Sequence, residues 1–393
     1  MVDKQLIKNV IDFIRVLKMD YTESSLSFRI LKVLKYLRLY GFTRTLNKVR
    51  SAYHMKRTYK TLPNLTGTSK SAHVGVIGSG NFSFSTISYY LKKNYGNVIR
   101  CAMDVDQNRA ASLCEAYKGA YFTQNAAEVI ADDKVVLIYI ASNHASHAEY
   151  AIKALESNKS VHIEKPPVVS DDQLERLVTA MKKSSGVVGL GYNRPQSPLG
   201  QKVKKALSKE KGPMMINWFI AAHELEDDHW YFSPDEGGRV LGNLCHWIDY
   251  TLSLIPVENR FPVKITPATS NRYKSDFVIS YEFGDGSLAV LTMSSKGHTF
   301  EGVSERLSVH RGDVLISLMD FEKLVIKKLH KVKNYTPLFR DHGHEGAITR
   351  SYVGAKQKSG HSVKDLWESA NLMLRTREAV ESEAIVIAHG YSE

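Results

Sequence analysis

Short apolar strands alternate with helices from residue 73 to residue 191, and this alternation limits the fold more than any other feature of the chain. The strands are predicted at 73–77, 98–103, 134–141, 160–163 and 187–191, and the helices at 81–93, 108–117, 145–157 and 171–183. Strands separated by helices of about ten to fifteen residues form a parallel sheet with helices on both faces. The apolar run at 134–141 supports this prediction, because a strand in such a sheet is buried on both sides.

The sequence becomes rich in β-structure after residue 194. Strands are predicted at 214–222, 263–266, 276–283, 287–294, 306–310, 313–318 and 324–329, and helices at 198–207, 240–254, 346–355 and 364–381. Turns that contain glycine, at 284–286 and 311–313, are typical of hairpins. We therefore predict a second, α+β domain with a mostly antiparallel, open-faced sheet. An exposed sheet face also favours self-association, so we expect a homo-oligomer, either a dimer or a tetramer.

The positive charge of the chain is concentrated at its N-terminus. Residues 1–70 contain 15 Lys and Arg against 4 Asp and Glu, whereas the rest of the chain contains 38 against 37. The net charge of +12 therefore says nothing about the substrate of the near-neutral remainder. Because no other feature supports binding to nucleic acid, we predict no nucleic-acid partner.

The basic extension has a helical pattern of its own. Segments 4–18 and 25–40 place apolar residues at helical spacing with basic residues opposite, and Gly41 is a candidate C-cap. Residues 43–60 are again basic, and 63–70 resemble a linker. Two interpretations stay open for residues 1–60. They form either helices that pack on the rest of the chain or on a partner protein, or an amphipathic surface that lies on an anionic membrane.

The sequence contains no pattern for export or for crossing a membrane. The first apolar stretch is broken by charged residues, and no apolar run approaches the ~20 residues of a spanning helix. Three cysteines, Cys101, Cys114 and Cys245, form no CxxC pair. An odd, unpaired set fits a reducing compartment. We expect a cytoplasmic protein that can lie against the inner face of a membrane.

A glycine turn follows the first strand and opens a helix. Gly78 would make the tight turn, and Gly80 would let the backbone approach a pyrophosphate at the helix N-terminus. Asn81 and Phe82 begin that helix, and Ser83 stands where such motifs carry a third glycine. This Ser83 departure is expected to loosen the contact between helix and strand. The strand–turn–helix context predicts a dinucleotide site at residues 78–82.

Asp104 ends the second strand, 24 residues after Gly80. A carboxylate at this position can accept hydrogen bonds from adenosine ribose hydroxyls and would repel a 2′-phosphate. The sequence therefore favours NAD over NADP. Arg109 also lies near the predicted ribose site, and it weakens this preference because a guanidinium can attract a 2′-phosphate.

Lys165 and His246 are candidates for proton transfer. Glu164-Lys165-Pro166-Pro167 follows a strand at the carboxyl edge of the sheet, where open α/β sheets bind ligands. Burial near a positively charged nicotinamide would lower the pKa of a lysine there and make it a proton acceptor. His246 lies on an apolar helix after a Gly-Gly-Arg turn, so it is either a core histidine or a partner of Lys165.

Four segments together resemble the Gfo/Idh/MocA oxidoreductase family: VIGSGN at 76–81, SNHASHAEYAIKAL at 142–155, HIEKP at 162–166 and GYNR at 191–194. The segment HWYFSPDEGGRVLGNLCHWID at 229–249 is similar to a subgroup that is often fused to an alcohol-dehydrogenase-like domain. The resemblance covers roughly residues 72–385. It implies an NAD-binding Rossmann domain at 71–193 and a substrate and oligomerisation domain at 194–393, after a helical extension and linker at 1–70.

The resemblance also implies roles for individual residues. Lys165 and His246 would be catalytic. The cofactor would be lined by Gly78, Gly80, Asn81, Phe82, Asp104, Arg109, Ser142, Asn143, His144, His147, Glu164 and Lys165. The substrate would be met by Lys165, Tyr192, Asn193, Arg194, His229, Asn243 and His246.

Two positions depart from the family pattern. Many members carry an Asp four residues before the catalytic His, where this chain has Gly242, and Asn243 stands where the similar subgroup carries an acidic residue. A carboxylate that would orient His246 is therefore missing, which puts the proton relay in doubt. We expect a chain without the fused domain of the subgroup, in which the basic extension takes the N-terminal position instead.

Two further clusters have a metal-like composition. The His and acidic residues at 223–229 match no zinc spacing, so we interpret them as a loop over the substrate and predict no metal. Asp341 opens a predicted helix and is a candidate N-cap. A similar stretch borders the substrate in the resembling subgroup, so a role in binding hydroxyls is the alternative.

These observations lead to one expected function with two alternatives. We expect hydride transfer between nicotinamide and a secondary alcohol of a sugar or nucleotide sugar, in a step of surface glycan synthesis. One alternative is a cofactor-binding regulatory or scaffold protein that has lost turnover. The other is a cyclic polyol or diol dehydrogenase on the same fold.

Overall fold

The computed structural model describes residues 25–65, 71–226, 228–270, 275–298 and 300–392. The helix predicted at 4–18, the end of the linker at 66–70, and Asp227 lie outside the described residues. The chain divides into two compact units. Unit 1 contains residues 1–134 with 338–340, and unit 2 contains residues 135–337 with 341–393.

Unit 1 contains three parallel strands in the order β3-β2-β1. Its strands are β1 (Val74–Ile77), β2 (Ile99–Met103) and β3 (Tyr121–Thr123). Its helices are α1 (Leu26–His54), α2 (Ser88–Tyr95), α3 (Gln107–Tyr117) and α4 (Ala126–Ala131), and a π-helical turn at Ser83–Ile87 precedes α2. Every residue of β1 is buried, as the apolar sequence requires.

Helix α1 is interrupted but not ended by Gly41. Gly41 has φ 76° and ψ 172°, outside the helical region, and the helix then continues to His54. A Cβ at this glycine would approach the ring of Phe339 to 3.1 Å, so both space and the positive φ require glycine there. Val33 and Val49 are buried in a small cluster on the inner side of the helix. The predicted helix stop is therefore a break between two helical segments, and the second segment packs against the π-helical turn and α3.

Unit 2 begins with three more parallel strands, in the order β4-β5-β6. They are β4 (Leu137–Ile140), β5 (Ser160–Ile163) and β6 (Val188–Leu190), with helices α5 (His144–Glu156) and α6 (Asp171–Lys183) between them. The orders 3-2-1 and 4-5-6 are those of the two halves of a dinucleotide-binding fold. The predicted α/β part is thus confirmed, with β3 as an additional short strand that the sequence pattern did not show.

The second sheet has nine strands in the order β14-β13-β12-β11-β7-β10-β9-β8-β15. The strands are β7 (Met215–Ala221), β8 (Val263–Thr269), β9 (Phe277–Glu282), β10 (Leu288–Ser294), β11 (Ser304–Arg311), β12 (Val314–Met319), β13 (Lys323–Lys328), β14 (Lys331–Tyr335) and β15 (Val386–Ala388). Only the pair β7–β10 is parallel among the pairs described, so the sheet is mostly antiparallel, as predicted.

The helices of this part and the burial pattern complete unit 2. The helices are α7 (Pro198–Leu207), α8 (Cys245–Leu254), α9 (His344–Gln357) and α10 (Val363–Ser382), and a π-helical turn at Val240–Leu244 runs into α8. Strand β12 alternates strictly between buried and exposed residues, which leaves one face of the sheet open. Strand β14 was missed because its exposed, Lys-rich sequence is typical of an edge strand and lacks an apolar signal.

Candidate active site

The glycine turn at the end of β1 presents backbone to its surroundings. Gly78 has φ 85° and its N–H donates to the carbonyl of Met103 at 2.9 Å, so the turn is anchored to β2. A Cβ built on Gly80 would meet no described atom within 4 Å. That open space is what a pyrophosphate needs to reach the backbone amides, and Asn81 and Phe82 follow at the start of the helix. The residues present therefore fit a dinucleotide.

Ser83 strengthens the turn instead of loosening it. Its buried hydroxyl donates a short hydrogen bond to the carbonyl of Gly78. The helix starts here with a wide π-helical turn, Ser83–Ile87, which leaves room for a side chain where other turns of this kind carry glycine. The expectation that Ser83 weakens the contact between helix and strand was wrong, because its hydroxyl finds a backbone acceptor.

Asp104 braces the turn from the end of β2. Its Oδ2 accepts the N–H of Ser79 at 2.7 Å, and its Oδ1 accepts the N–H of Asp106 at 2.9 Å. Each carboxylate oxygen has more than one lone pair, so acceptor capacity remains for ribose hydroxyls. Arg109 pairs with Asp106 at 3.3 Å, which partly neutralises the guanidinium near this carboxylate. The cofactor roles of Asp104 and Arg109 stay predictions.

Helix α1 contacts the same turn, which the sequence did not predict. His54 Nε2 donates to the carbonyl of Ser79 at 2.7 Å, and its ring stacks on Phe84 with centres 4.2 Å apart. Ser51 donates to both the carbonyl and the side-chain oxygen of Asn81. Burial lowers the pKa of His54, so the ring is neutral and its second nitrogen, Nδ1, has no hydrogen-bond partner among the described residues. No local signal marks either residue, because the contact joins segments about 30 residues apart.

In unit 2, Lys165 follows β5 and points its ammonium at a distant backbone carbonyl. Nζ donates to the carbonyl oxygen of Gly242 at 2.7 Å and lies 5.9 Å from the ring centre of Tyr231. Burial alone would lower the pKa of Lys165, but Tyr231, Cys245 and Glu164 outweigh burial and raise it above its ordinary value. Lys165 is therefore an ammonium, held ready to donate a proton or a hydrogen bond.

Glu164 is fixed behind Lys165 by buried partners. Its Oε1 lies 3.1 Å from Nε2 of His162, and His162 Nδ1 lies 2.7 Å from the hydroxyl of Ser351. A Cβ at Gly191 would approach Glu164 Oε2 to 2.6 Å, so glycine is needed there to leave room for the carboxylate. In this structure Glu164 holds the end of β5 in place, and its predicted contact with the cofactor stays a prediction.

Two predicted cofactor residues at the start of α5, Asn143 and His144, bond to Glu236. Asn143 donates to Glu236 Oε1 at 2.6 Å, and His144 Nδ1 lies 2.9 Å from the Glu236 carbonyl oxygen. Burial, together with the charge of Lys165, lowers the pKa of His144 to about 2. His144 is thus a neutral ring in the wall of the site.

His147 and Ser142 connect this loop to the Lys165 turn. His147 lies 2.8 Å from the carbonyl of Pro166 through Nδ1, and 3.2 Å from the carbonyl of Ser142 through Nε2. Burial lowers the pKa of His147, so one ring nitrogen donates at a time. Ser142 shares a hydrogen bond of 2.6 Å with Ser146. The four residues Ser142, Asn143, His144 and His147 therefore form one connected shell.

His246 stands among cations and is neutral. Burial lowers its pKa well below the ordinary value, and the charges of Arg194 and Lys165 lower it further, with His344 and His342 acting in the same direction. Its Nδ1 is buried and has no hydrogen-bond partner among the described residues. A neutral imidazole with an unpartnered nitrogen can accept a hydrogen bond or a proton at that nitrogen.

The GYNR segment supplies one free acceptor and one buried ion pair. Asn193 donates to the carbonyl of His342 at 2.7 Å, while its Oδ1 is buried without a partner among the described residues. Arg194 binds both oxygens of Glu305, at 2.7 and 3.2 Å, and stacks over Trp247. Asn193 can meet a substrate hydroxyl, whereas the guanidinium of Arg194 is already committed to Glu305.

Tyr192 is directed into the interior. Its hydroxyl lies 3.0 Å from the sulfur of Met373, and burial raises the pKa of Tyr192 well above its ordinary value. The side chain is 5% exposed. Its predicted role at the border of the substrate site stays a prediction, and in this structure it supports the segment that carries Asn193.

His229 bonds to Tyr231, whose ring centre lies 5.9 Å from Lys165 Nζ, and Asn243 bonds to Arg239. His229 Nδ1 accepts the N–H of Tyr231 at 3.2 Å, and burial lowers the pKa of His229. Asn243 accepts from Arg239 at 3.2 Å, and Arg239 also donates to the carbonyl of His223. Asn243 therefore anchors Arg239, and Arg239 in turn binds the backbone at His223.

One helix cap was predicted wrongly. The N-cap of α9 is Gly343, with φ 89°, and Asp341 instead accepts the N–H of Gly343 at 2.6 Å within the preceding turn. The carbonyl of His342 in this turn binds Asn193. The turn thus supports the site through its backbone. Among the described residues, no three His, Cys, Asp or Glu side chains are grouped to hold a metal ion.

Comparison with known proteins assigns the class. Residues 72–192 match the model of the Gfo/Idh/MocA group, an oxidoreductase family with an NAD-binding Rossmann fold. This match covers less than half of the chain, and for that segment it confirms the resemblance seen in the sequence. The nearer similarity to the subgroup with a fused domain stays a prediction.

Individual relatives cover the chain in part. The chain is 29% identical over 133 residues to an oxidoreductase from Formosa agariphila, covering 34% of this chain and 41% of that protein. It is 26% identical over 233 residues to an inositol 2-dehydrogenase from Klebsiella pneumoniae, covering 56% of this chain and 66% of that protein. The chain thus spans less than two thirds of the length of each.

Solved structures share the fold over a longer stretch. A levoglucosan dehydrogenase in complex with NADH and levoglucosan superposes with a TM-score of 0.70 at 15% identity, covering 81% of this chain and 99% of that one. At this identity the similarity establishes the fold alone, and it confirms a Rossmann domain followed by a mostly antiparallel sheet domain. In the part of the chain that the structure describes, no helix is both long and apolar enough to cross a membrane.

Proposed function

We propose that this protein is an NAD-linked oxidoreductase that interconverts a secondary alcohol and a ketone on a carbohydrate-like substrate. The observation that carries this proposal is the pairing of opposite proton roles in unit 2. Lys165 is an ammonium and His246 is a neutral imidazole, and the charge of Lys165 acts on His246. NAD, when bound, takes up or gives the hydride. The residues of this chain have to move the hydroxyl proton.

The two side chains divide the proton work. In the oxidation direction, His246 accepts the proton of the substrate hydroxyl, because its lowered pKa keeps it neutral and Nδ1 has no partner among the described residues. Lys165 donates a hydrogen bond to the same oxygen and stabilises the negative charge that develops there. In the reduction direction the protonated His246 returns the proton to the substrate oxygen, while Lys165 again donates a hydrogen bond to that oxygen. This division differs from the sequence-based hypothesis, in which Lys165 is the main general base or acid and His246 is its partner.

The acidic residue at the end of β2 supports NAD over NADP. Asp104 has remaining acceptor capacity for ribose hydroxyls, and Arg109 is paired with Asp106. A 2′-phosphate would meet an uncompensated carboxylate there. Dissociation constants for NADH and NADPH, measured by fluorescence, test this preference. We expect NADH to bind at least roughly tenfold more tightly.

A polyol or sugar is the substrate class that the site supports best. Asn193 Oδ1 and His246 Nδ1 are buried polar atoms without partners among the described residues, and substrate hydroxyls would satisfy both. Relatives in sequence and structure include proteins named inositol 2-dehydrogenase and levoglucosan dehydrogenase. We propose a sugar or nucleotide sugar, with a cyclic polyol as the alternative. A role in surface glycan synthesis is a further hypothesis on the same substrate class.

A substrate panel with a matched variant tests the function. Absorbance of NADH is followed with inositols, free sugars, anhydrosugars and nucleotide sugars, for the wild type and for Lys165→Ala. We expect at least one panel member to turn over, and Lys165→Ala to lower turnover by about 10²–10⁴ while NADH affinity is retained. NADH binding without turnover of any alcohol or ketone would support a regulatory or scaffold protein instead.

The open face of the second sheet supports a homo-oligomer. Met215, Phe219 and Leu315 lie on it and are 56%, 48% and 52% exposed. We propose that a second copy of the chain covers this face, as a dimer or within a tetramer. Sedimentation velocity should show the wild type as an oligomer and Phe219→Glu with Leu315→Glu as a monomer. Val257→Glu, on a 3-10 turn in the same unit, is the control.

The outer side of α1 supports contact with an anionic membrane. Leu31 and Leu34 are 55% and 54% exposed, and Arg38 is exposed on the same helix. Because α1 is bonded to the glycine turn, substitutions are a better test than truncation. Leu31→Asn with Leu34→Asn should abolish sedimentation with phosphatidylglycerol vesicles. If neither protein sediments with them, contact with a partner protein becomes the alternative.

A further inference from the structure

Gly242 is glycine because another side chain fills its space. A Cβ on this residue would lie 2.5 Å from Cε2 and 2.6 Å from Cδ2 of Tyr231, and 3.1 Å from Cε1 of His144. Real Cβ atoms do not approach carbon so closely. The residue lies inside the π-helical turn Val240–Leu244 and does not have a positive φ, so its backbone would accept any residue. Occupied space, and not backbone conformation, therefore excludes a side chain at position 242.

Tyr231 is held firmly in that space. Its N–H donates to His229 Nδ1 at 3.2 Å, and its ring centre lies 4.7 Å from that of His144 and 4.5 Å from that of Trp230. The His144 contact comes from another element, the start of α5, whereas Trp230 is the neighbour of Tyr231 in the same 3-10 turn, Trp230–Phe232. The ring is therefore positioned from two sides.

Tyr231 and Gly242 meet at the same atom, Nζ of Lys165. The carbonyl of Gly242 accepts from Nζ at 2.7 Å, and the ring centre of Tyr231 is 5.9 Å from Nζ. Of the groups that favour the charged form of Lys165, Tyr231 has the largest effect on its pKa, ahead of Cys245 and Glu164. A carboxylate at position 242 would perform the same service with a full negative charge, but it would hold the proton on lysine more strongly.

We propose that Tyr231 is the positioning residue for Lys165, and that its ring occupies the space that a side chain at position 242 would need. This inference rests on the proposed function, because Lys165 there donates the hydrogen bond that stabilises the reacting oxygen. In this arrangement the phenol oxygen of Tyr231 accepts one hydrogen bond from the ammonium and the Gly242 carbonyl accepts another, so one ammonium hydrogen remains for the substrate oxygen. Both acceptors are uncharged, so the ammonium keeps its positive charge for the reacting oxygen. Glycine at position 242 leaves the space that the Tyr231 ring needs in this arrangement.

Removing only the hydroxyl tests the positioning role. Tyr231→Phe keeps the ring, its packing and the excluded space. The readout is the apparent pKa of Lys165, obtained from the pH dependence of its acylation by acetic anhydride and quantified by peptide mass spectrometry. Because Tyr231 raises the pKa of Lys165, the variant should have a lower apparent pKa and faster acylation at a fixed pH. Tyr150→Phe, on α5 and outside the site, is the control for the same chemical change.

Turnover gives a second readout on the same variants. With a substrate from the panel, Tyr231→Phe should lower kcat by roughly tenfold, leave KM for NAD within about twofold, and shift the alkaline part of the pH profile in the direction of the acylation result. An acylation profile and kcat equal to those of the wild type would overturn the proposal.

Exchanging the two positions tests why glycine is needed. Gly242→Asp alone forces a side chain into the Tyr231 ring and should lose activity by more than roughly tenfold. Tyr231→Ala with Gly242→Asp opens the space and returns a carboxylate, so it should be more active than either single variant. Losses that simply multiply in the double variant would contradict the exchange.

The acylation measurement separates this inference from the proposed function. It needs no substrate, so a shift of the Lys165 pKa in Tyr231→Phe supports the positioning role even if no alcohol in the panel is oxidised. In that case the proposed function fails alone. Turnover by the wild type with an unchanged Lys165 pKa in Tyr231→Phe leaves the function in place and rejects the role of Tyr231.

Discussion

The glycine turn of unit 1 and the Lys165 cluster of unit 2 are built in different ways. The turn exposes backbone, with open space at Gly80, and its nearby side chains brace it. The cluster exposes side-chain atoms, and its chemistry depends on charges that act between Lys165 and His246. The glycine turn is formed by a few consecutive residues, whereas the Lys165 cluster joins segments about 80 residues apart.

This difference predicts how each region tolerates change. Adding atoms to the turn should block a ligand with little effect on folding, because nothing described occupies the space. Changing the cluster should alter charge states and proton transfer, because its groups are buried together and shift each other's pKa. The following variants test that contrast, from the largest expected effect to the smallest.

His246→Ala should have the largest effect and should leave NAD binding intact. We expect kcat/KM for alcohol oxidation to fall by about 10²–10⁴, with an NADH dissociation constant within about twofold of the wild type. The pKa of His246 lies well below its ordinary value, so the base stays neutral as the pH falls through the ordinary histidine range. Wild-type oxidation should therefore show no acid limb near pH ~6.5. A limb at that pH would mean that His246 is exposed to solvent during turnover.

Asp249→Asn should remove a pH dependence of stability. Burial raises the pKa of Asp249 to about 7, while its Oδ1 accepts from Ser369 at 2.9 Å. The protonated carboxyl is favoured in the fold, so this stabilisation is complete below pH ~4 and is lost as the pH rises through about 7. At pH 8 the variant should be more stable than the wild type by roughly 2–4 kcal/mol, and the gap should narrow at pH 5.

Urea denaturation at the two pH values measures this difference. Asp133→Asn, which replaces an exposed carboxyl in unit 1, is the control and should show no such gap. A wild type and an Asp249→Asn protein that change in parallel between pH 5 and pH 8 would contradict the buried, protonated carboxyl.

A graded series at Gly80 tests the backbone side of the comparison. Gly80→Ala and Gly80→Val add one and three carbons to space that no described atom occupies within 4 Å. Unfolding free energy should change by less than about 0.5 kcal/mol, while NADH affinity should fall by roughly tenfold for alanine and further for valine. If both variants bind NADH as the wild type does, the cofactor does not approach this turn.

Ser51→Ala and His54→Ala should have the smallest effect on binding. Each removes a hydrogen bond of α1 to the turn, to Asn81 or to Ser79. A loss of about 1 kcal/mol per bond would weaken NADH binding by roughly fivefold, since the turn becomes less ordered. Arg38→Ala, on the exposed side of α1, is the control. Equal affinity in all four proteins would show that α1 stabilises unit 1 without shaping the turn.

Much of the fold could be predicted from periodicity. Strand β4 and the Gly78–Gly80 turn were assigned correctly because continuous apolar runs and glycine punctuation are local signals. Strand β14 was missed because an edge strand needs no apolar face. The helix break at Gly41 was located correctly, but the continuation to His54 depends on packing within unit 1.

The candidate site could be predicted only in its positions. Lys165 and His246 were singled out by their places after a strand and on an apolar helix. The charge states of Lys165 and His246 could not be predicted from the sequence. The pKa of His246, for example, is set by burial and by Arg194 and Lys165, which are distant in sequence. No sequence signal marked Tyr231 as a partner of Lys165, because the ring of Tyr231 meets Gly242 only in the folded chain.

The amino-acid sequence by itself determined the order of strands and helices, the glycine turn and the identity of the side chains available for proton transfer. Tertiary structure alone decided which of those side chains are charged, which carry unpartnered atoms, and that α1 is bonded to the turn. The physical reason is the distance over which each kind of interaction acts. Backbone preferences act over a few residues, whereas burial and charge act through space between segments that the chain brings together only when it folds.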